Sequence, residues 1–155
     1  MDLYLVVKTA HILFSTILFG TGIGIAFFMI RSCTDDNPHA KLYAARNTVF
    51  ADYLFTLPAA IGQPLTGFWL VWKAGYNWTD LWLVLTYIIY LIAAACWLPV
   101  VWIQIQLKQM LETSIRDGAP LPKRYFQLFK IWFLLGWPAF IGLVIVFSLM
   151  VFKPV

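Results

Sequence analysis

The sequence has few charged residues and few side chains that commonly bind metals. Only 12% of its 155 residues are charged, whereas 62% are hydrophobic and 18% are aromatic. A soluble domain carries about 25% charged residues, because it must cover its surface with them. A disordered chain is excluded by the high apolar content. The composition therefore predicts an integral membrane protein.

The two cysteines do not form a pattern typical of a disulfide or a metal site. Cys33 follows the first hydrophobic stretch and Cys96 lies inside the third. Closely spaced cysteine pairs are the usual signature of a structural zinc site, and none is present. We expect both residues to be free, buried thiols.

Four hydrophobic stretches are long enough to cross a bilayer, whose hydrocarbon core of about 30 Å requires about 20 helical residues. None of them alternates polar with apolar residues as the strands of a membrane barrel must. Helices are then the remaining spanning structure. The sequence predicts one all-α domain, residues 1–155, folded as a four-transmembrane-helix bundle. The predicted helices cover about residues 3–30, 47–72, 81–104 and 125–152.

The basic residues are distributed unevenly between the two sides of this predicted bundle. Of the eleven Lys and Arg residues, only Lys8, Lys73 and Lys153 belong to the side of the termini. Basic residues are retained on the cytoplasmic side of a membrane. We therefore expect two long cytoplasmic connections and periplasmic termini in a bacterial inner membrane. The net charge of +4 needs no nucleic acid as a partner, since the lipid bilayer accounts for it.

A polar stripe interrupts the first hydrophobic stretch, in the segment VVKTAHILFST. Its members follow one another at intervals of three or four residues: Lys8, His11, Ser15, Leu18 and Gly22. Such intervals place residues on one face of a helix. We expect this face to point into the bundle, because ionisable groups in a membrane usually face other protein groups.

The position of His11 predicts a polar layer in the outer half of the bundle. At 1.5 Å per residue it lies roughly 12 Å below the outer end of the helix. Lys8 is one turn nearer the surface and can extend its ammonium group outward, whereas the shorter histidine cannot. Residues at the same depth on the neighbouring helices are polar: Gln63, Thr66, Thr86 and Tyr90.

His11 has two interpretations from the residues alone. Its imidazole could simply form hydrogen bonds between helices. Alternatively, it could bind a metal, most plausibly haem iron, because helical bundles hold haem between their helices. Lys8 would then pair with a haem propionate, since it rises from the same face and cannot be the opposite axial ligand. The second axial ligand is not evident, because His39 lies in the connection on the other side of the membrane.

Five further residues within the predicted spans are interpreted as structural. Each of Pro58, Pro64, Pro99 and Pro138 is expected to bend its helix and to free a backbone carbonyl that a neighbour must satisfy. Asp52 is expected to be an interfacial charge near the cytoplasmic end of the second helix, deep enough to need a hydrogen-bond donor as its partner, with a weaker case for proton transfer.

Three stretches of the chain resemble a bacterial integral membrane family, DUF2269, over essentially its whole length. They are LYLVVKTAHILFSTILFGTGIGIAFFM, RNTVFADYLFTLPAAIGQPLTGFWLV and PKRYFQLFKIWFLLGWPAFIGLVIVFSLMVFKPV. The layout is more distantly similar to the HemJ-type protoporphyrinogen oxidases and the CopD copper-resistance proteins. The shared motifs are an early histidine, a TG pair and a terminal KP: His11, Thr66 with Gly67, and Lys153 with Pro154.

This resemblance implies that His11 is a ligand of haem b. One departure argues against porphyrinogen oxidation, because Thr86 stands where the HemJ proteins carry a functional lysine. A CopD-like copper role is weaker, since the four methionines form no cluster and no paired histidine or cysteine ligands are present.

Two classes of function follow from these observations. The first is a haem b protein that transfers electrons to or from quinone or a partner oxidoreductase, or oxidises a porphyrin; if it is an enzyme, it is an oxidoreductase. Its candidate site is His11 with neighbours on three helices: Lys8, Ser15, Gln63, Thr66, Thr86 and Tyr90. The second is a cofactor-free membrane subunit that acts by helix packing, as a homodimer or in a larger complex.

Overall fold

The computed structural model describes residues 2–154, and all regular secondary structure in that range is helical. The elements are α1 Leu3–Cys33, α2 Pro38–Ala51, α3 Leu57–Ala74, α4 Leu81–Asp117 and α5 Lys123–Phe152. A single π-helical turn, Asp52–Thr56, joins α2 to α3 without a break, so that Pro38–Ala74 is one continuous helix. Within residues 2–154 there are thus four helices long and apolar enough to cross a membrane, which confirms the predicted architecture.

The connections between the helices are short, because each helix end carries a residue suited to it. Asn37 caps α2 by accepting a hydrogen bond of 2.9 Å from the amide of His39, and Pro38 occupies the first helical position. Gly75 and Gly118 end α3 and α4 in the left-handed conformation, with φ of 72° and 61°. The expectation of long cytoplasmic connections is therefore wrong: the chain turns at residues 34–37 and 118–122.

Two helices extend well beyond the hydrophobic stretches that predicted them. The second begins at Pro38 instead of about residue 47, and α4 ends at Asp117 instead of about residue 104. Hydrophobicity marks the lipid boundary, whereas polar residues with good helix propensity continue a helix into water. The two extensions pack together, and an ion pair of 2.9 Å joins Arg46 to Glu112.

The helices pack as two pairs, α1 with the α2–α3 helix and α4 with α5. One core lies at the end that carries the turns 34–37 and 118–122: Met29, Leu42, Ala45, Val100, Ile103, Leu107, Leu111, Tyr125, Leu128 and Trp132. A smaller core lies at the opposite end: Val71, Trp82, Leu83 and Leu149. A cavity of about 420 Å³ lies among the helices between these cores.

The terminal lysine of the KP motif fastens α5 to the turn between α3 and α4. Lys153 Nζ donates a hydrogen bond of 2.6 Å to the hydroxyl of Tyr76. The same ammonium group lies 4.5 Å from the ring centroid of Tyr76 and 5.4 Å from that of Trp82. These aromatic rings suit the headgroup level of a bilayer. Lys153 therefore closes the end of the bundle that also carries the start of α1.

Substitution of Lys153 by Met should loosen this end of the bundle. The hydrogen bond and the cation–π contacts are together expected to contribute about 1 kcal/mol at an exposed position. For a chain of this size that is a fall in Tm of roughly 2–4 °C. Thermal unfolding in detergent measures it, with Lys73→Met as the control because Lys73 is an exposed lysine at the same end. Equal Tm values for the two variants would show that the contact contributes nothing.

Candidate functional site

The side chain of His11, on α1, lies against α3, where both of its ring nitrogens contact polar side chains. Its Nδ1 is 2.9 Å from the hydroxyl oxygen of Thr66. Its Nε2 is 3.2 Å from the amide nitrogen of Gln63. The ring is partly buried, and it links two helices at one depth in the membrane. The structure thus brings three of the predicted site residues together.

The hydroxyl of Thr66 determines which nitrogen of His11 carries the proton. That hydroxyl lies 2.7 Å from the carbonyl oxygen of Gly62 and 3.1 Å from that of Gln63, both of which can only accept. Its single proton is donated there, so toward His11 it acts as an acceptor. The network therefore assigns the proton to Nδ1 and leaves Nε2 to accept from the Gln63 amide. The result is a neutral imidazole in one fixed orientation.

Two glycines of α3 allow α1 to approach so closely. A Cβ atom at Gly67 would lie 3.1 Å from Cε1 of His11. A Cβ atom at Gly62 would lie 2.5 Å from Cε2 of Phe14, which is closer than real Cβ contacts. The predicted TG pair is therefore part of a longer motif, GQPLTG at residues 62–67. Its two glycines pack against the rings of Phe14 and His11, and its Gln and Thr contact the imidazole.

Tyr90 has a structural partner instead of a contact with His11. Its hydroxyl donates a hydrogen bond of 2.8 Å to the carbonyl of Ala60. Ala60 lies four residues before Pro64, whose missing amide proton leaves that carbonyl without its usual helical donor. Tyr90 therefore satisfies the carbonyl that Pro64 frees, and it fastens α4 to α3.

The remaining predicted neighbours of His11 do not join it in this structure. Ser15 donates to the carbonyl of Ile12 at 2.7 Å, and Thr86 donates to that of Trp82 at 2.8 Å, each within its own helix. Lys8 is exposed on the surface of α1. The prediction that the whole polar stripe faces the bundle is therefore wrong for Lys8. A stripe with a period of 3.5 residues drifts around a straight helix, so its ends leave the interface.

A cluster of several metal ligands is absent from residues 2–154, where no three His, Cys, Asp or Glu side chains come together. A haem needs only one or two axial ligands, so this observation does not bear on it. Cys33 and Cys96 are free thiols, as predicted, but the expectation that both are buried is wrong: Cys33 is exposed at the end of α1 and Cys96 is half-buried. His39 is exposed at the start of α2, at the opposite end of the bundle from His11.

A second group of polar side chains in the membrane was missed from the sequence. Asp52, expected at the interface, is only 3% exposed, and Thr56 and Gln104 are buried beside it. Asp52 lies fourteen residues after Pro38, which is about 21 Å along a helix. Because the helix begins earlier than predicted, this carboxyl group lies deep in the bundle. The only sequence signal was the presence of two polar residues, four positions apart, in the apolar segment DYLFT.

Comparison with known proteins identifies one family. The model of the family described as "Predicted integral membrane protein (DUF2269)" matches residues 5–154, nearly the whole chain. The family resemblance predicted from the three stretches is thereby confirmed. No curated protein and no solved structure matches the chain, and the likeness to HemJ and CopD proteins stays a prediction.

The contact between Thr66 and His11 should contribute measurably to stability. Thr66→Val keeps the shape of the side chain but removes the acceptor, which leaves the imidazole N–H unpaired. Side-chain hydrogen bonds between membrane helices are worth about 0.6–2 kcal/mol, or roughly 2–6 °C in Tm for a chain of this size. Thermal unfolding should show that loss for Thr66→Val, and Thr66→Ser, which keeps the hydroxyl, should recover most of it. If Val and Ser behave alike, the hydrogen bond is not what holds the ring.

Proposed function

We propose that this chain, which belongs to the DUF2269 family of predicted integral membrane proteins, binds haem b through His11 and acts in electron transfer within the membrane. The coarser statement, that it is a multi-pass membrane protein, rests on its four spans and on the family match. The finer statement, that the chain binds haem b, rests on the geometry of the His11 side chain.

The observation that supports haem binding is the orientation of the imidazole. A histidine that binds a metal usually donates its other ring N–H to a nearby acceptor, which fixes the tautomer and the direction of the ring. Thr66 accepts the Nδ1 proton of His11 in this manner at 2.9 Å. Nε2 therefore presents a lone pair, which is what a metal requires.

The residues around Nε2 fit the binding of an iron atom with one rearrangement. Nε2 now pairs with the neutral amide of Gln63 at 3.2 Å, a long hydrogen bond worth about 1 kcal/mol at most. The amide oxygen of Gln63 is buried and has no partner among residues 2–154, so the side chain is held at one end only. Rotation of Gln63 would free Nε2, while Thr66 and Gly67 keep the ring in place.

A haem at this position would supply a one-electron redox centre. His11 would hold it, Thr66 would orient His11, and the exposed Lys8 one turn away offers a cation for a propionate. Electrons would pass to or from quinone or a partner oxidoreductase. Oxidation of a porphyrin is a weaker proposal, because Thr86 is bound to its own helix and offers no basic group.

The distribution of charge supports an orientation in a bacterial inner membrane. Most of the basic residues flank the turns 34–37 and 118–122, which lie at the same end of the bundle as Arg46 and Glu112. By the positive-inside rule this end would face the cytoplasm. Both termini, Lys8 and His11 would then lie toward the periplasmic side.

A second candidate function is supported by the same contacts. Both ring nitrogens of His11 are already paired, so the imidazole is satisfied without any cofactor. In that case His11 holds α1 against α3, and the chain serves as a membrane subunit. Gly20 and Gly24 offer a surface for a second copy or another subunit, because a Cβ atom at either would meet nothing within 4 Å.

Optical spectra of the purified protein test the proposal. Protein from haem-replete cells should show a Soret band and, after reduction with dithionite, an α-band. Both should be lost in His11→Ala and kept in His39→Ala, the matched control at the other histidine. Full haem content in His11→Ala would show that the ligand is wrong, and no band in the parent would favour the cofactor-free function.

Substitution of Gln63 by Leu separates the two functions further. If His11 binds haem, removing the competing amide should leave haem content unchanged or raise it. If His11 is only a link between helices, the same change leaves Nε2 unpaired and should lower Tm by at most about 2–4 °C, because that contact is worth about 1 kcal/mol. The measurements are the haem-to-protein ratio and thermal unfolding of the same samples.

A further inference from the structure

Seven side chains that carry a polar atom line the cavity between the two helix pairs, within an otherwise apolar wall. Tyr90 is bonded to the carbonyl of Ala60, and Trp137 is exposed at the edge. The other five form one cluster: Asp52, Thr56, Trp97, Gln104 and Trp132. The cavity has a volume of about 420 Å³ and is lined by the middle parts of the α2–α3 helix, α4 and α5 and by the second half of α1. His11 is not among its lining residues, so it is a site separate from the one described above.

The polar atoms of this cluster are only partly satisfied. Asp52, Thr56 and Gln104 are 3%, 7% and 2% exposed, and Thr56, Gln104 and Trp97 face the carboxyl group of Asp52 as donors. These contacts lack the geometry of full hydrogen bonds, and each side chain leaves one atom without a partner among residues 2–154: Asp52 Oδ2, Thr56 Oγ1, Gln104 Oε1, Trp97 Nε1 and Trp132 Nε1. An unpaired buried polar atom costs about 1–3 kcal/mol. Trp132 is not among the donors that face Asp52, and Gln104 Oε1 is itself an acceptor, so these two atoms in particular indicate a partner that is not part of the chain.

The backbone at this cluster is also unusual. Asp52 and Thr56 are the first and last residues of the π-helical turn, in which the amide of Leu57 bonds to the carbonyl of Asp52. Single π-helical turns are rare and occur frequently at functional sites. This turn directs both polar side chains of DYLFT into the bundle, while its other three residues are exposed. The distortion and the unpaired atoms thus occur at the same place.

The cavity opens to the lipid between α1 and α5. Its edge on α1 includes Ile23 and Phe27, and its edge on α5 includes Phe133 and Trp137, all of which are exposed. The small residues Gly22 and Gly136 line it on the same two helices, which touch little along this part. An apolar molecule could therefore enter sideways from the bilayer without crossing water.

The chemistry of the wall selects among membrane molecules. No Lys or Arg is among the lining residues, all of which lie in the described range, so a phospholipid headgroup would lack a cation for its phosphate. A lipophilic cation would pair with Asp52 but would leave both indole N–H groups without acceptors. A flat apolar ring with hydroxyl groups can donate to the acceptors of the cluster and accept from its donors, whereas the oxidised ring, with carbonyl groups, pairs with the donors alone.

We propose that this cavity binds the ring of an isoprenoid quinone or quinol, with its tail passing between α1 and α5. The carbonyl oxygens accept hydrogen bonds from the indole N–H groups of Trp97 and Trp132 and from the Thr56 hydroxyl. In the quinol form, the hydroxyl groups donate to Asp52 and Gln104. Phe19 and Phe140, stacked with centroids 5.2 Å apart, add aromatic surface to the wall. The site does not depend on His11, and the proposal stands whether or not haem is bound.

Decylubiquinone titration of the protein in nanodiscs tests this proposal, with quenching of tryptophan fluorescence as the readout because Trp97, Trp132 and Trp137 line the cavity. The His11→Ala protein serves as the background, so that no haem contributes to the quenching. Gly22→Leu should block the cavity and weaken binding at least tenfold. Thr16→Leu is the control: it places a leucine at an exposed position of the same helix, outside the cavity wall.

Asp52→Leu tests the polar cluster independently of the shape of the cavity. The two side chains are similar in size, and removal of a buried carboxyl group should leave the protein folded and at least as stable in thermal unfolding. Binding of decylubiquinol should nevertheless fall about tenfold, which corresponds to one lost hydrogen bond of about 1.4 kcal/mol.

Three results would overturn the proposal. The first is quenching that does not saturate in the His11→Ala background, and the second is equal binding by Gly22→Leu and Thr16→Leu in that background. The third is saturable binding of tetraphenylphosphonium that requires Asp52 while decylubiquinone fails to bind, which would assign the cavity to a cation. Loss of haem from the parent affects none of these readouts, so the two proposals fail separately.

Discussion

A polar group inside a bilayer must find a partner other than lipid, which offers none, and this constraint explains the positions of several polar side chains in the bundle. The carbonyl of Ala60, freed by Pro64, receives the hydroxyl of Tyr90. The hydroxyls of Ser15 and Thr86 bond back to their own helices. Hydrophobic residues, by contrast, gain little from facing inward in a membrane, and many large ones face the lipid. Polar contacts and close packing at glycine therefore determine how these helices meet.

The same constraint determines what could be predicted from the sequence. Four spans were predictable, because only long apolar helices satisfy their backbones in lipid. The helix ends were not, since hydrophobicity stops at the headgroups while α4 continues to Asp117. Counting residues along the helices placed His11 at the same depth as Gln63 and Thr66, and the structure shows all three in contact. Depth does not give rotation about the helix axis, however, and Thr86 and Tyr90 are oriented toward other partners.

The buried carboxyl group could not have been placed from the sequence, for two physical reasons. The second helix begins at Pro38, about 21 Å before Asp52, and its polar extension packs against α4, so that protein covers the carboxyl group where the sequence predicted an interface. The π-helical turn then changes the rotation of the chain, which a pattern with a period of 3.6 residues does not reveal. Gln104 and Trp97 come from a different helix, and without the packing of α4 nothing associates them with DYLFT.

The two polar sites differ in how well their hydrogen bonds are satisfied, and therefore in what a ligand would have to displace. At His11 both ring nitrogens have a partner. A ligand must therefore displace Gln63, and its interaction with Nε2 must be stronger than the hydrogen bond that it replaces. Around Asp52 the network is open, and a ligand would gain partners without displacing any. Thr56 and Gln63 lie on one continuous helix, seven residues or about 10 Å apart along its axis. A quinone ring in the cavity would thus lie near enough to His11 for the two sites to act on the same electrons, although each is defined by contacts that the other does not share.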